Sequence, residues 1–90
     1  MSNREARIRD ILLAEFTPLS LTVQDDSGMH VGHAGNPDGR GETHYTVVMT
    51  AARFSGQSRV ARSRAVHDAL APEFAAGLHA LALQLKAPGE

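Results

Sequence analysis

The residues best suited to chemistry in this chain are imidazoles. There are five histidines and no cysteine. His30, His33 and His44 fall within residues 25–45, DDSGMHVGHAGNPDGRGETHY, a stretch with almost no aliphatic content that is rich in glycine. A long connection of this kind is uncommon in a small domain and is usually functional or disordered. Neutral imidazole ligates zinc and iron. Zinc takes about four ligands, and the local candidates for an autonomous zinc site are His30, His33, His44 and Asp25 or Asp26. His30 and His33 lie in a Gly-rich loop, so their spacing implies no shared helical face and does not by itself define a metal site. The missing cysteine excludes disulfide staples, zinc knuckles and self-contained iron–sulfur sites built on thiolates. If the chain holds an iron–sulfur cluster, a partner must bring the sulfur ligands.

The other two histidines read differently. His79 has the parity of Leu81, Leu83 and Leu85. That parity predicts a place at the start of a strand on the face that meets the core. There it is either a partly buried, hydrogen-bonded residue or a ligand projecting from a rigid element. His67 lies in the middle of a helical pattern and reads as a surface or boundary residue.

The formal charge is −1, so the chain is not a strongly basic nucleic-acid binder, yet the charges are uneven. Arg53, Arg59, Arg62 and Arg64 cluster with no acid among them. They form either an electropositive face for a partner or a solvated helix face. Catalytic signatures are lacking: there is no cysteine nucleophile, no G-x-S-x-G elbow and no phosphate-cradling motif.

The elements that must position these groups are legible in the patterning. Ser2 and Glu5 fit a capping box. Ile8, Ile11, Leu12 and Phe16 recur at helical spacing and predict a helix over roughly residues 3–15, stopped by Pro18. Leu19, Leu21 and Val23 alternate with polar residues and predict a strand; Tyr45, Val47 and Met49 do the same after the loop. The simplest arrangement is an antiparallel pair joined by the histidine-rich connection. Residues 51–57 predict a short turn that inserts Phe54 into the core. Ser58 is placed to cap a helix carrying Val60, Val66, Leu70 and Phe74. Pro72 should end or kink that helix, and Gly77 should terminate it. Residues 78–85 alternate as a third strand, with a frayed tail over 86–90 expected after it. The result is one α+β domain: a two-layer sandwich with a three-stranded mixed sheet and helices on one face, in the order α-β-β-α-β.

The run Thr43-His44-Tyr45, then Arg53-Phe54-Ser55-Gly56-Gln57-Ser58, Arg62-Ser63-Arg64, Leu70-Ala71-Pro72-Glu73 and His79-Ala80-Leu81-Ala82-Leu83 resembles the BolA family over nearly the whole chain. The resemblance implies a fold similar to type II KH domains without the G-x-x-G loop. It implies a non-enzymatic partner of a monothiol glutaredoxin, the two forming a heterodimer around a shared 2Fe–2S cluster. The glutaredoxin supplies its cysteine and a bound glutathione. The BolA-like chain supplies the histidine of the H-A-L motif, here His79, and a second ligand from the loop between the first two strands. Counting forward from Asp26-Ser27 assigns that ligand to His30; the Gly-His-Ala context assigns it to His33. The chain departs from the family in carrying Ser63 where Arg-His-Arg is common. It also lacks the further helix that some members carry past Pro88, which is expected to alter how a partner packs against the third strand.

The leading expectation is therefore an iron–sulfur adaptor in cluster assembly, transfer or iron homeostasis, with no cofactor of its own when isolated. The alternative is a DNA-binding transcriptional regulator that uses the basic helix around Arg53, Arg59, Arg62 and Arg64. The isolated chain is expected to be a monomer or weak homodimer. No stretch is long and apolar enough to span a membrane, and the first residues lack a charged-then-apolar signal pattern. Both features lead to the expectation of a cytoplasmic protein.

Overall fold

The computed structural model describes residues 3–26 and 44–90. The capping residue expected at Ser2 and the loop histidines His30 and His33 lie outside the described residues. Helix α1 spans Asn3–Phe16, and strands β1 (Ser20–Asp25) and β2 (His44–Thr50) follow. A 3-10 turn over Ala52–Phe54 leads into α2 (Arg59–Ala69), α3 (Ala71–Ala75) and β3 (Ala80–Lys86). β2 is the central strand of the three-stranded sheet, antiparallel to β1 and parallel to β3. The mixed α+β sheet is as the patterning predicts.

The register explains the core. Across the sheet Leu21, Met49 and Leu85 share one row, and Val23, Val47 and Leu83 share the next. Tyr45, Val47 and Met49 are fully buried, while the intervening Thr46, Val48 and Thr50 are half-buried on the opposite face. From α1, Ile8, Leu12 and Phe16 lock onto the sheet at four-residue intervals. Phe54 enters the core beside Phe16, with ring centroids 5.4 Å apart. Burial of each such aromatic is worth roughly 1.5–3 kcal/mol.

Two helical boundaries follow their chemistry. Ser58 Oγ accepts from the Ala61 N–H at 3.1 Å and caps α2. At the end of α3 the Leu78 N–H donates to the Glu73 carbonyl and the Gly77 N–H to the Phe74 carbonyl, a Schellman closure. Gly77 sits at φ +122°, a backbone conformation that favours glycine, and a Cβ there would press on the Arg4 guanidinium at 3.2 Å from Nη2.

Three expectations fail. Val60 is 63% exposed and does not face the core; the inward positions are Arg62 and Val66 of α2 and Leu70, which caps its C-terminal end. Six residues of helix turn Val60 well away from Val66, whereas 62, 66 and 70 share a face. His79 does not begin the third strand on the core face. The Schellman closure turns Leu78 into the core, leaving His79 exposed one residue before β3 begins. The tail is not frayed: Lys86 belongs to β3, Ala87 is buried, and Glu90 folds back onto α2.

Candidate functional site

One end of the sheet gathers the histidines that the described residues contain outside α2. β1 leaves this end at Asp25, and β2 enters it at His44. The Asp26 N–H donates to the His44 carbonyl at 2.8 Å and closes the ladder there. The Asp26 carboxylate accepts from Gln24 Nε2 at 2.8 Å and from the Thr46 hydroxyl. Both ends of the segment carrying His30 and His33 are therefore anchored at this edge, by side chains as well as by backbone.

Because β3 runs parallel to β2, it starts at the same end. His44 faces Ala80 across the pair, which sets His79 beside His44. Their ring centroids are 5.4 Å apart and the planes are tilted by 48°. His79 is exposed and His44 half-buried. No described residue hydrogen-bonds the His79 ring. Among the described residues no group of three or more histidine, cysteine, aspartate or glutamate side chains is arranged to hold a metal ion. Two imidazole rings lie side by side here.

His67 stands apart on α2. Its Nδ1 lies 2.9 Å from the Ser63 carbonyl and its ring stacks on Phe74. It is exposed, as its place in the helical pattern predicts.

The four arginines do not form one face. Arg62 points inward and is almost fully buried. Its Nε donates to the Gln57 carbonyl at 3.0 Å, and Nη1 donates to the Leu85 carbonyl. Nη1 and Nη2 grip both oxygens of Glu90 at 2.6 and 2.7 Å. This fork holds the Glu90 carboxyl down to about 2, helped by the Ala87 N–H, and raises the Arg62 guanidinium in turn. Arg53 lies over the Phe16 ring at 4.5 Å and pairs with Glu15 at 2.8 Å. Arg59 and Arg64 remain exposed. Arg59 borders a cleft of about 690 Å³ between α2 and the outer edge of β3, which also receives Ser63, His67, Leu81, Leu83 and Lys86.

A second ionic cluster has no trace in the sequence pattern. Glu73, at 4% exposure, accepts from Arg7 Nε at 2.9 Å and Arg7 Nη2 at 3.0 Å, and from Arg4 Nε at 3.2 Å. Arg7 and then Arg4 hold its carboxyl below the ordinary range against the opposing effect of burial. Arg4 Nη2 also caps the Ala76 carbonyl at 2.7 Å. The partners lie 66 to 72 residues apart, so no local spacing could announce them.

Comparison with known proteins agrees with this architecture. The family described as BolA-like protein matches residues 12–90. An uncharacterized protein in the cobS 5′ region of Sinorhizobium sp. is 49% identical over 79 residues, covering 88% of this chain and 85% of that protein. BolA-like protein 1 of Mus musculus is 41% identical over 86 residues, covering 96% of this chain and 59% of its own length. The BolA domain of SufE1 from Arabidopsis thaliana superposes with a TM-score of 0.86 at 39% identity, covering 98% of this chain and 95% of that domain. The chain thus spans less than two thirds of the mouse relative. It also spans only 25% of the Arabidopsis thaliana SufE-like protein 1, to which it is 40% identical.

Proposed function

The chain belongs to the BolA-like protein family, and we propose that it is a non-enzymatic adaptor that binds a monothiol glutaredoxin and shares a 2Fe–2S cluster with it. The observation that carries this reading is the exposed imidazole of His79. It stands at the head of β3, on the same sheet end where both ends of the segment bearing His30 and His33 are anchored. A rigid ligand and a tethered ligand would then approach one iron from two directions.

The donor chemistry fits a shared cluster and not a self-contained one. Iron–sulfur clusters are held mostly by thiolates, and this chain has none. His79, with His30 or His33, supplies the imidazoles; the glutaredoxin cysteine and glutathione supply the thiols. Imidazole in place of thiolate on one iron raises the reduction potential, which suits cluster transfer or iron sensing. Ligation requires neutral imidazole. His79 reaches the cargo from a backbone fixed by the Schellman closure and the β2–β3 ladder, while α1 and the core hold that ladder rigid. This is the positioning on which a low-entropy ligand depends.

The test is to mix the purified, tag-free chain with a cluster-loaded monothiol glutaredoxin and record visible absorption and circular dichroism. The expected result is a new spectrum that does not form with His79→Ala. An unchanged spectrum with the parent chain, or the same new spectrum with His79→Ala, would refute the reading. His30→Ala and His33→Ala in the same assay assign the loop ligand.

The alternative reading, DNA binding through the basic helix, retains Arg59 and Arg64 as exposed cations. It loses Arg62 to the interior, and Arg53 is already paired with Glu15.

A further inference from the structure

We infer that His44 and His79 together chelate one divalent transition-metal ion of the Zn2+ class on the isolated chain. The autonomous zinc site suggested by the sequence draws on His30, His33, His44 and the neighbouring aspartates. The pair found in space is a different one, since His44 and His79 are far apart in the chain and come together only through the parallel β2–β3 register.

Distance carries the inference. A zinc–nitrogen bond is about 2.0–2.1 Å, so an imidazole centroid lies about 3.2 Å from the ion, and two rings on one tetrahedral ion have centroids about 5.2 Å apart. The observed separation is 5.4 Å. The two rings thus already stand at about the separation a shared ion needs, with His79 exposed. Both backbones are fixed. His44 lies within β2 and its carbonyl accepts from Asp26, while His79 is held between the Schellman closure and β3. Fixed backbones reduce the freedom lost on binding, and imidazole suits zinc, copper and nickel. Water completes the tetrahedron.

The site does not require the glutaredoxin reading. It does share His79 with it, so on that reading Zn2+ and a delivered cluster exclude each other at this imidazole. The ion would then compete with the cargo for the rigid half of the site.

The test uses the isolated, tag-free chain and ZnCl2, followed by calorimetry and by the histidine ring resonances in long-range proton–nitrogen spectra. One saturable site is expected, with the rings of His44 and His79 shifting together at one equivalent and that of His67 unmoved. His79→Gln, at an exposed position, and His44→Gln should each weaken binding more than tenfold with the far-ultraviolet spectrum retained. Lack of saturable binding, ring shifts at only one of the two histidines, or either variant within threefold of the parent would overturn the inference. The ring resonances test the parent chain directly, so the result does not depend on His44→Gln folding. Zinc binding without any spectral response to cluster-loaded glutaredoxin would leave this site standing and remove the adaptor reading.

Discussion

The histidine end of the sheet and the arginine cluster both stand out as runs of letters, and the fold treats His79 and Arg62 in opposite ways. Arg62 is turned inward, where two backbone carbonyls and a bidentate carboxylate take up its donors. Arg53 is held by Glu15 and the Phe16 ring. His79, by contrast, is exposed on a rigid backbone, with another imidazole beside it. The same contrast holds within the ionic groups, since Glu73 binds two arginines from the far end of the chain and so docks α1 onto α3. A reactive side chain marks a site when the fold holds its backbone still without using up its polar atoms. A charge cluster whose donors already meet internal acceptors is architecture.

This contrast can be broken by substitution. The largest effect is expected at His79. His79→Ala should abolish the spectral response to cluster-loaded glutaredoxin while changing unfolding free energy by less than about 0.5 kcal/mol, as for an exposed residue. A destabilisation well beyond that in urea unfolding would make His79 a structural residue. Next is Glu73→Gln, which leaves Arg4 and Arg7 without their buried carboxylate. A broken buried pair costs about 3–5 kcal/mol, and the half-exposed Arg7 reduces this to roughly 2 kcal/mol, or about 8–16 °C in Tm. Cluster sharing should survive at a temperature where the variant is folded. A melting temperature equal to the parent's would show that the clamp contributes nothing.

A smaller effect separates the arginines. If DNA binds this helix, joint replacement of Arg59 and Arg64 by alanine should weaken binding in a gel shift. It should also lower the salt slope by about two. Arg62→Met should alter stability and leave that slope unchanged. An equal fall in slope for Arg62→Met would place its guanidinium on the surface.

The smallest effect is in the acid range. The carboxyls of Glu73 and Glu90 have folded-state values below the ordinary 4.5, Glu90 at about 2. A depressed carboxyl contributes stability that is fully present above its unfolded value and is lost as pH falls toward the folded one. Stability should therefore decline below about pH 4.5, and for Glu90 the decline should extend to about 2. Denaturant unfolding of Glu90→Gln against pH should show a shallower slope across that window, and the parent's slope in the variant would mean the carboxylate is unpaired in solution.

Much of the fold was legible because it rests on local periodicity. Ile8, Leu12 and Phe16 recur every four residues, Tyr45, Val47 and Met49 every two, and Ser58 caps its own helix. The helix break at Pro72 and the termination at Gly77 are equally local. Errors came where a local rule was extended past a turn. Period-two parity assigned His79 to the core, but the Schellman closure shifts the phase and sends Leu78 there instead. Hydrophobic type favoured Val60, but helical phase favours Arg62, whose donors are met inside by Glu90 and two backbone carbonyls.

The sequence by itself determined the donor inventory: imidazoles and no thiolates, so that any iron–sulfur cluster must be completed from outside. Composition limits chemistry regardless of conformation. Tertiary structure decided which donors meet. His44 and His79 become neighbours because β3 runs parallel to β2 from the same end, and Arg62 ceases to be a surface charge because the tail returns to it. Both outcomes depend on contacts between residues far apart in the chain, and strand direction and the return of a tail are set by packing of the whole domain, which no local spacing encodes.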